Sequence, residues 1–310
     1  MITRDDVLAA RDAIAGRLHR TPTFSSATLG PGVFLKAELF QRTGSFKPRG
    51  ILNKLSSLTE DERAAGVIGV SAGNHAQALA YCARLEGLDA LIVMWRNASE
   101  AKLAATLGYG AAVDQKAEGP PVAFDRLHEL QAETGRTFVH PFDDALVAAG
   151  QGTVGLEIAE DVPDVDVVVV PVGGGGLISG IAAALPEVRI VGVEPVLSQA
   201  LTAALESGQS VPVEATSVAD GLNAPFVGEL ALQTARERKL EIALVEDGEI
   251  EDGMRFLYER AKLACEPAGA AAVAALMTGK AGVDEGQTVV CVVSGGNVAA
   301  QTAAAILARR

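Results

Sequence analysis

The sequence predicts an α/β fold of two lobes, each a mainly parallel sheet flanked by helices, and three observations predict it. Short β-branched runs alternate with Ala/Leu-rich segments of helical spacing along nearly the whole chain. The interiors of these runs are continuously apolar, as in strands buried on both faces. Polar or glycine-rich loops follow several of them, where α/β proteins carry their sites.

In chain order, "MITRDDVLAARDAIAGRLHRTP" is charged and helix-like, with no apolar core that would make it a signal peptide. In "GSFKPRG" (44–50), Pro48 suits the first turn of a helix and is expected to push Lys47 into an extended conformation. Ile51, Leu52, Leu55 and Leu58 give that helix an apolar face. Lys47 thus sits at a helix entrance beside Phe46. Taken alone, the stretch fits a desolvated lysine able to form an imine, or a lysine that snorkels to the surface.

Strands are expected at "VIGV" (67–70), "ALIVM" (90–94), "VVVVPV" (167–172), "RIVGVE" (189–194) and "TVVCVVS" (288–294). Helical segments include "HAQALAYCARLEG", "ASEAKLAATLG", "AFDRLHELQAETG" and "GMRFLYERAKLACEP". The composition shifts near "FVHPFDDALVAAGQGT". Residues 66–141 are therefore expected to form a small lobe, and residues 1–65 with 142–310 a large one.

Three loops after strands carry candidate chemistry. "SAGNHAQ" (71–77) opens a helix, where free backbone N–H groups of Ser71, Ala72, Gly73, Asn74 and His75 suit a carboxylate. An N-capping turn with Ser71 or Asn74 as cap fits equally well. Gly173, Gly174, Gly175 and Gly176 form an anion nest suited to a phosphate. Neither GxGxxG nor GxxxxGK[ST] spacing is present, so a small phosphorylated cofactor fits better than a nucleotide. "VVCVVSGGN" (289–297) offers the Ser294 hydroxyl to a heteroaromatic nitrogen.

Composition bounds the partners. The chain has 310 residues, 49% hydrophobic and 21% charged, with a formal net charge of -13. An acidic surface with no Lys/Arg cluster argues against nucleic acid and fits a soluble cytoplasmic protein with a small-molecule substrate. Cys82, Cys265 and Cys291 lie apart in apolar surroundings, as buried reduced thiols do. The uncharged run 167–185 has membrane-span length, but Pro171 and four glycines break it into strand, loop and helix, so no membrane partner is expected.

A lysine, a phosphate nest, a carboxylate cradle and a ring-facing serine together describe pyridoxal phosphate with an amino acid substrate. The chain resembles the serine/threonine dehydratase group of fold-type II pyridoxal-phosphate enzymes, which includes serine racemase and the tryptophan synthase β-like relatives. "TPTFSS", "FLKAELFQRTGSFKPRG", "SAGNHAQ", "GYGAAV", "VHPFDD", "AGQGT", "GGGGL", "GVEP" and "SGGN" carry the resemblance over essentially the whole chain. It implies that Lys47 is the Schiff-base lysine, Phe46 lies against the cofactor ring and Asn74 bonds its 3′-hydroxyl. It further implies that Gly173–Gly176 hold the phosphate, Ser294 faces the pyridine nitrogen and Gly221 in "ADGLN" lies near the cofactor. The implied reaction removes the α-proton and β-hydroxyl of L-threonine or L-serine, giving a 2-oxo acid and ammonia. A homodimer or homotetramer is expected.

Departures from the group's pattern sharpen the choice. Racemases of the group carry a serine where this chain has Ala72, and alanine cannot carry a proton to the second face. Serine racemase, or a dehydratase for another 3-hydroxy amino acid such as hydroxyaspartate, is therefore the alternative. A β-replacement enzyme is weaker still, because "TSGNTG" is absent. The divalent-cation site of some relatives pairs the Glu of "EP" with a carboxylate six residues later. Glu194 is present but the later position is Ala200, which leaves a metal doubtful. Trp95 stands where relatives have a proline. No C-terminal regulatory domain, and no feedback control by isoleucine, is expected after "SGGN".

Overall fold

The computed structural model describes residues 1–309. Ten strands form two sheets: β1 (Thr23–Ser25), β2 (Val33–Ala37), β3 (Val67–Val70), β4 (Ala90–Trp95), β5 (Ala112–Ala117), β6 (Thr137–Phe138), β7 (Val167–Pro171), β8 (Arg189–Pro195), β9 (Glu241–Val245) and β10 (Val289–Val293). The larger sheet runs β1-β2-β10-β7-β8-β9 and the smaller β5-β4-β3-β6. Every pairing is parallel except β1 with β2. This is the α/β architecture the alternation predicts.

The two central strands of the larger sheet, β7 and β10, are buried at every position, which their unbroken valine content requires. Two core clusters cover the faces of that sheet: one gathers Val169, Val191, Ala271 and Cys291, the other Val168, Val170, Ile181 and Val290. The five strands read from sequence appear within a residue or two of their expected bounds. The other five, β1, β2, β5, β6 and β9, were not read as strands from sequence.

Two local readings need correction. Lys47 is not extended; its φ of -52° and ψ of -37° are helical. Its carbonyl already accepts the Ile51 N–H, so helix continuation and packing outweigh the local bias that a following proline imposes. The helical stretch "GMRFLYERAKLACEP" ends early: an α-helix over Asp247–Phe256 passes into one π turn at Leu257–Ala261, and Lys262 takes a left-handed φ of 61°. Cys265 and Glu266 then lead into a new helix, Pro267–Met277.

Behind the helix Pro48–Ser56 lies a buried ionic cluster. Arg49 donates to Glu38 through Nε and Nη2, both at 2.8 Å, and to Glu157 through Nη1 at 2.7 Å and Nη2 at 2.9 Å. Lys36 Nζ adds a bond to Glu157 at 2.7 Å. Two cations thus face two carboxylates, with forked geometry on the arginine. Burial alone would raise the Glu157 carboxyl, but Arg49 and Lys36 outweigh it and hold the group below its ordinary value. The cluster ties the start of the Lys47-bearing helix to β2 and to the helix Ala145–Asp161.

Candidate active site

A cavity of about 530 Å³ opens at the C-terminal ends of β3, β4, β7 and β10. The smaller sheet contributes Ser71, Ala72, Gly73, Asn74 and His75 to its wall; the larger contributes Phe46, Lys47, Gly173–Gly176, Gly221 and Ser294. All the residues expected around a cofactor and substrate therefore meet in one space. Glu194 does not join them.

Lys47 Nζ donates to the Pro141 carbonyl at 2.8 Å and lies 5.1 Å from the centroid of the Phe46 ring. Part of the side chain faces the cavity, but protein surrounds the amine, and the loss of hydration lowers its pKa to about 8. The acceptor is itself held in position. His140 Nδ1 accepts the N–H groups of Phe142 at 3.2 Å and Asp143 at 2.8 Å, which curls "HPFD" so that the Pro141 carbonyl meets the lysine. Burial lowers His140 to about 4, so a neutral ring makes this turn.

The phosphate side is built from backbone. Gly175 has φ +92°, a left-handed value that glycine adopts without strain. A Cβ on Gly174 would lie 2.2 Å from the Phe142 ring, so only glycine lets the loop pass. The helix Gly176–Ala184 follows with no side-chain cap, leaving its first N–H groups for a ligand. On the opposite wall, the helix Asn74–Glu86 likewise begins without a side-chain cap. Ser71 Oγ accepts the Gly73 N–H at 3.0 Å and does not reach the helix, which removes the capping reading of either Ser71 or Asn74.

His75 is held by Val139, whose carbonyl lies 2.9 Å from Nε2, while Nδ1 has no partner. Burial and the nearby Lys47 charge depress its pKa to about 3, so the ring is neutral. Ser294, at the end of β10, is buried, and its carbonyl accepts the Phe46 N–H at 3.3 Å. Trp95, Phe124 and Phe142 add apolar lining.

Glu194 has another task. Its carboxylate accepts Leu201 N–H at 2.7 Å, Thr202 N–H at 2.9 Å and the Thr202 hydroxyl at 2.7 Å, so it binds the first turn of the helix Ala200–Ser207. Among the described residues no group of three or more His, Cys, Asp or Glu side chains converges on a metal position. The ligand expected of Glu194 is thus a helix cap, because Ala200 starts a helix where a carboxylate would be needed.

Sequence reasoning missed Glu266, Asp220 and Lys102, which also line the cavity. Lys102, from the helix Glu100–Gly108, forms an ion pair with Asp220 across the cavity mouth. None follows a β-branched run, so strand-end logic had no signal for them.

Comparison with known proteins agrees with the geometry. The pyridoxal-phosphate dependent enzyme family matches residues 14–295. The L-threonine ammonia-lyase of Thermotoga maritima is 43% identical over 307 residues, covering 96% of this chain and 76% of the relative. The catabolic L-threonine dehydratase of Escherichia coli strain K12 is 41% identical over 307 residues, covering 95% of this chain and 92% of the relative. Maize serine racemase superposes with a TM-score of 0.92 at 35% identity, covering 97% of this chain and 95% of that one. A threonine deaminase from T.th. does so with a TM-score of 0.89 at 37% identity, with 96% and 99% covered.

The residues present fit pyridoxal phosphate. A partly neutral buried amine suits its aldehyde, and an uncharged nest of four glycines that tolerates no Cβ at Gly174 suits its phosphate. The chain belongs to the pyridoxal-phosphate dependent enzyme family, as a two-sheet α/β lyase of the threonine ammonia-lyase kind.

Proposed function

We propose that the protein is an ammonia-lyase that converts L-threonine, L-serine or both to a 2-oxo acid and ammonia. The observation that carries this reading is the desolvated Lys47 amine in one cavity with Ala72 and the glycine nest. Bound pyridoxal phosphate supplies an aldehyde that joins to amines and a ring that takes up the electron pair of a broken Cα–H bond.

The chain's residues do the rest. Lys47 would hold the cofactor through Nζ and would accept the α-proton at that atom; a pKa of about 8 keeps part of the amine neutral near neutral pH. Amides of Gly173–Gly176 bind the phosphate, and those of Ser71–His75 orient the substrate carboxylate. Phe46 would pack against the ring, Asn74 would bond its oxygen, Gly221 would leave room beside it and Ser294 would face its nitrogen. A hydroxyl rather than a carboxylate at that nitrogen would leave it without a proton donor of carboxylate strength, which would favour elimination over a long-lived carbanion. Ala72 offers no proton to the second face, which favours elimination over inversion.

The same reading takes residues 66–141 as a small lobe and 1–65 with 142–310 as the cofactor-binding lobe, in a cytoplasmic homodimer or homotetramer. The test is the absorption spectrum of the purified protein, followed by assay of 2-oxo acid release across L- and D-3-hydroxy amino acids. We expect a violet-edge absorption band, release from L-threonine or L-serine, and loss of at least about a thousandfold in kcat with Lys47→Ala. A band unaffected by that substitution would sink the reading. Rapid α-proton exchange with inversion and no oxo acid would replace it with a racemase.

A further inference from the structure

Behind Asn74 runs a partly buried hydrogen-bond relay that none of the roles above uses. Asn297 Nδ2 donates to two oxygens, the Thr43 carbonyl at 2.6 Å and Asn74 Oδ1 at 2.8 Å. Both protons of that nitrogen are thereby committed, which fixes the Asn74 oxygen on the Asn297 side. Asn74 Nδ2 stands at the other end and donates one proton to Glu266 Oε1 at 2.6 Å. One Asn74 proton remains, and Asn74 lines the cavity.

Glu266 is locked where this requires it. Its N–H donates to the Gly295 carbonyl at 3.1 Å, and Pro267 follows as the first residue of a helix. A Cβ on Gly295 would come within 2.4 Å of Glu266 Oε1, so the residue after Ser294 must leave space for this carboxyl.

We propose that Glu266 is a positioning residue whose carboxyl holds Asn74 so that its N–H, not its carbonyl, faces the ring oxygen of the bound cofactor. The inference rests on the cofactor reading above. An N–H donor stabilises the ionised form of that oxygen, whereas a carbonyl there requires it to stay protonated. Charged groups around Glu266 are few: Asp220 and Lys102, paired with each other. Cys265 precedes it with its thiol pushed up by burial, so it carries no charge. Burial, with help from Asp220, raises the Glu266 carboxyl to about 7 against the opposing Asn74 bond. Its hold on Asn74 is therefore strongest above neutral pH.

The test compares the holoenzyme with Glu266→Ala and Glu266→Gln by absorption spectrum across pH and by cofactor titration of the apoprotein. Glu266→Ala is expected to lose the band of the ionised ring oxygen and to weaken cofactor binding about tenfold. Glu266→Gln keeps an oxygen facing Asn74 Nδ2 and is expected to retain a near-native spectrum. A folded Glu266→Ala protein with native spectrum and affinity overturns the proposal, as does a Gln variant as altered as the Ala one. Should Glu266→Ala fail to fold, Glu266→Asp draws the carboxylate one methylene back from Asn74 Nδ2, and an unchanged spectrum and cofactor affinity there overturn the proposal equally. A native protein with no cofactor band at all would instead remove the functional reading and leave this inference without its ligand.

Discussion

Two carboxylates withdrawn from solvent, Glu157 in part and Glu266 fully, answer the same problem in opposite ways. Glu157 meets Arg49 and Lys36, and ion pairing holds its carboxyl below the ordinary value despite burial. Glu266 meets the amide of Asn74, and burial wins, raising it to about 7. A carboxylate surrounded by cations is ionised whenever the protein is folded; one surrounded by amides sits poised between states. The first arrangement belongs to a scaffold and the second to a site, and their pH dependences must have opposite sign.

The comparison breaks most visibly at Arg49. Arg49→Met leaves the buried Glu38 and the partly buried Glu157 without their shared partner, and a loss of about 3–5 kcal/mol is expected in urea unfolding at neutral pH. An unchanged midpoint would mean that the cluster contributes nothing. Glu157→Gln sharpens the contrast. A lowered folded pKa gives stability that is present above the unfolded value and lost as pH falls through the folded one. Its cost, about 2–3 kcal/mol at neutral pH, should therefore fade in acid. Glu266→Gln should do the reverse. A raised folded pKa gives stability that is full below the unfolded value and lost as pH rises through about 7. The Gln variant should thus match native stability in acid and exceed it in alkali by on the order of 2 kcal/mol. Parallel pH profiles for the two Gln variants would dissolve the distinction.

The same contrast explains what the sequence made legible. Strand, loop and helix signals are local, so the strands ending at Val70, Pro171 and Val293, and the loops after them, could be read and their residues gathered. Glu266 and Arg49 act through partners far along the chain: Asn74 is 192 residues from Glu266, and Glu157 is 108 from Arg49. No spacing rule reaches that distance. Where local rules failed, packing overruled them. Pro48 should have extended Lys47, but the carbonyl of Lys47 serves the helix that follows. Glu194 looked like half a metal site because the identity of a carboxylate says nothing of the helix end it meets.

The position of β10 has a consequence for how the chain acquires this site. β10 lies between β2 and β7, pairing Val289 with both Val33 and Val167. The middle of the larger sheet is therefore filled by a strand that leaves the ribosome after all nine others. Until then β2 and β7 have exposed facing edges, Ser294 has not arrived to complete the cavity, and Asn297 is not yet there to bond Asn74. Closing loops this long makes the last step slow, and the nascent protein must wait, with sticky edges unprotected, for its own final strand.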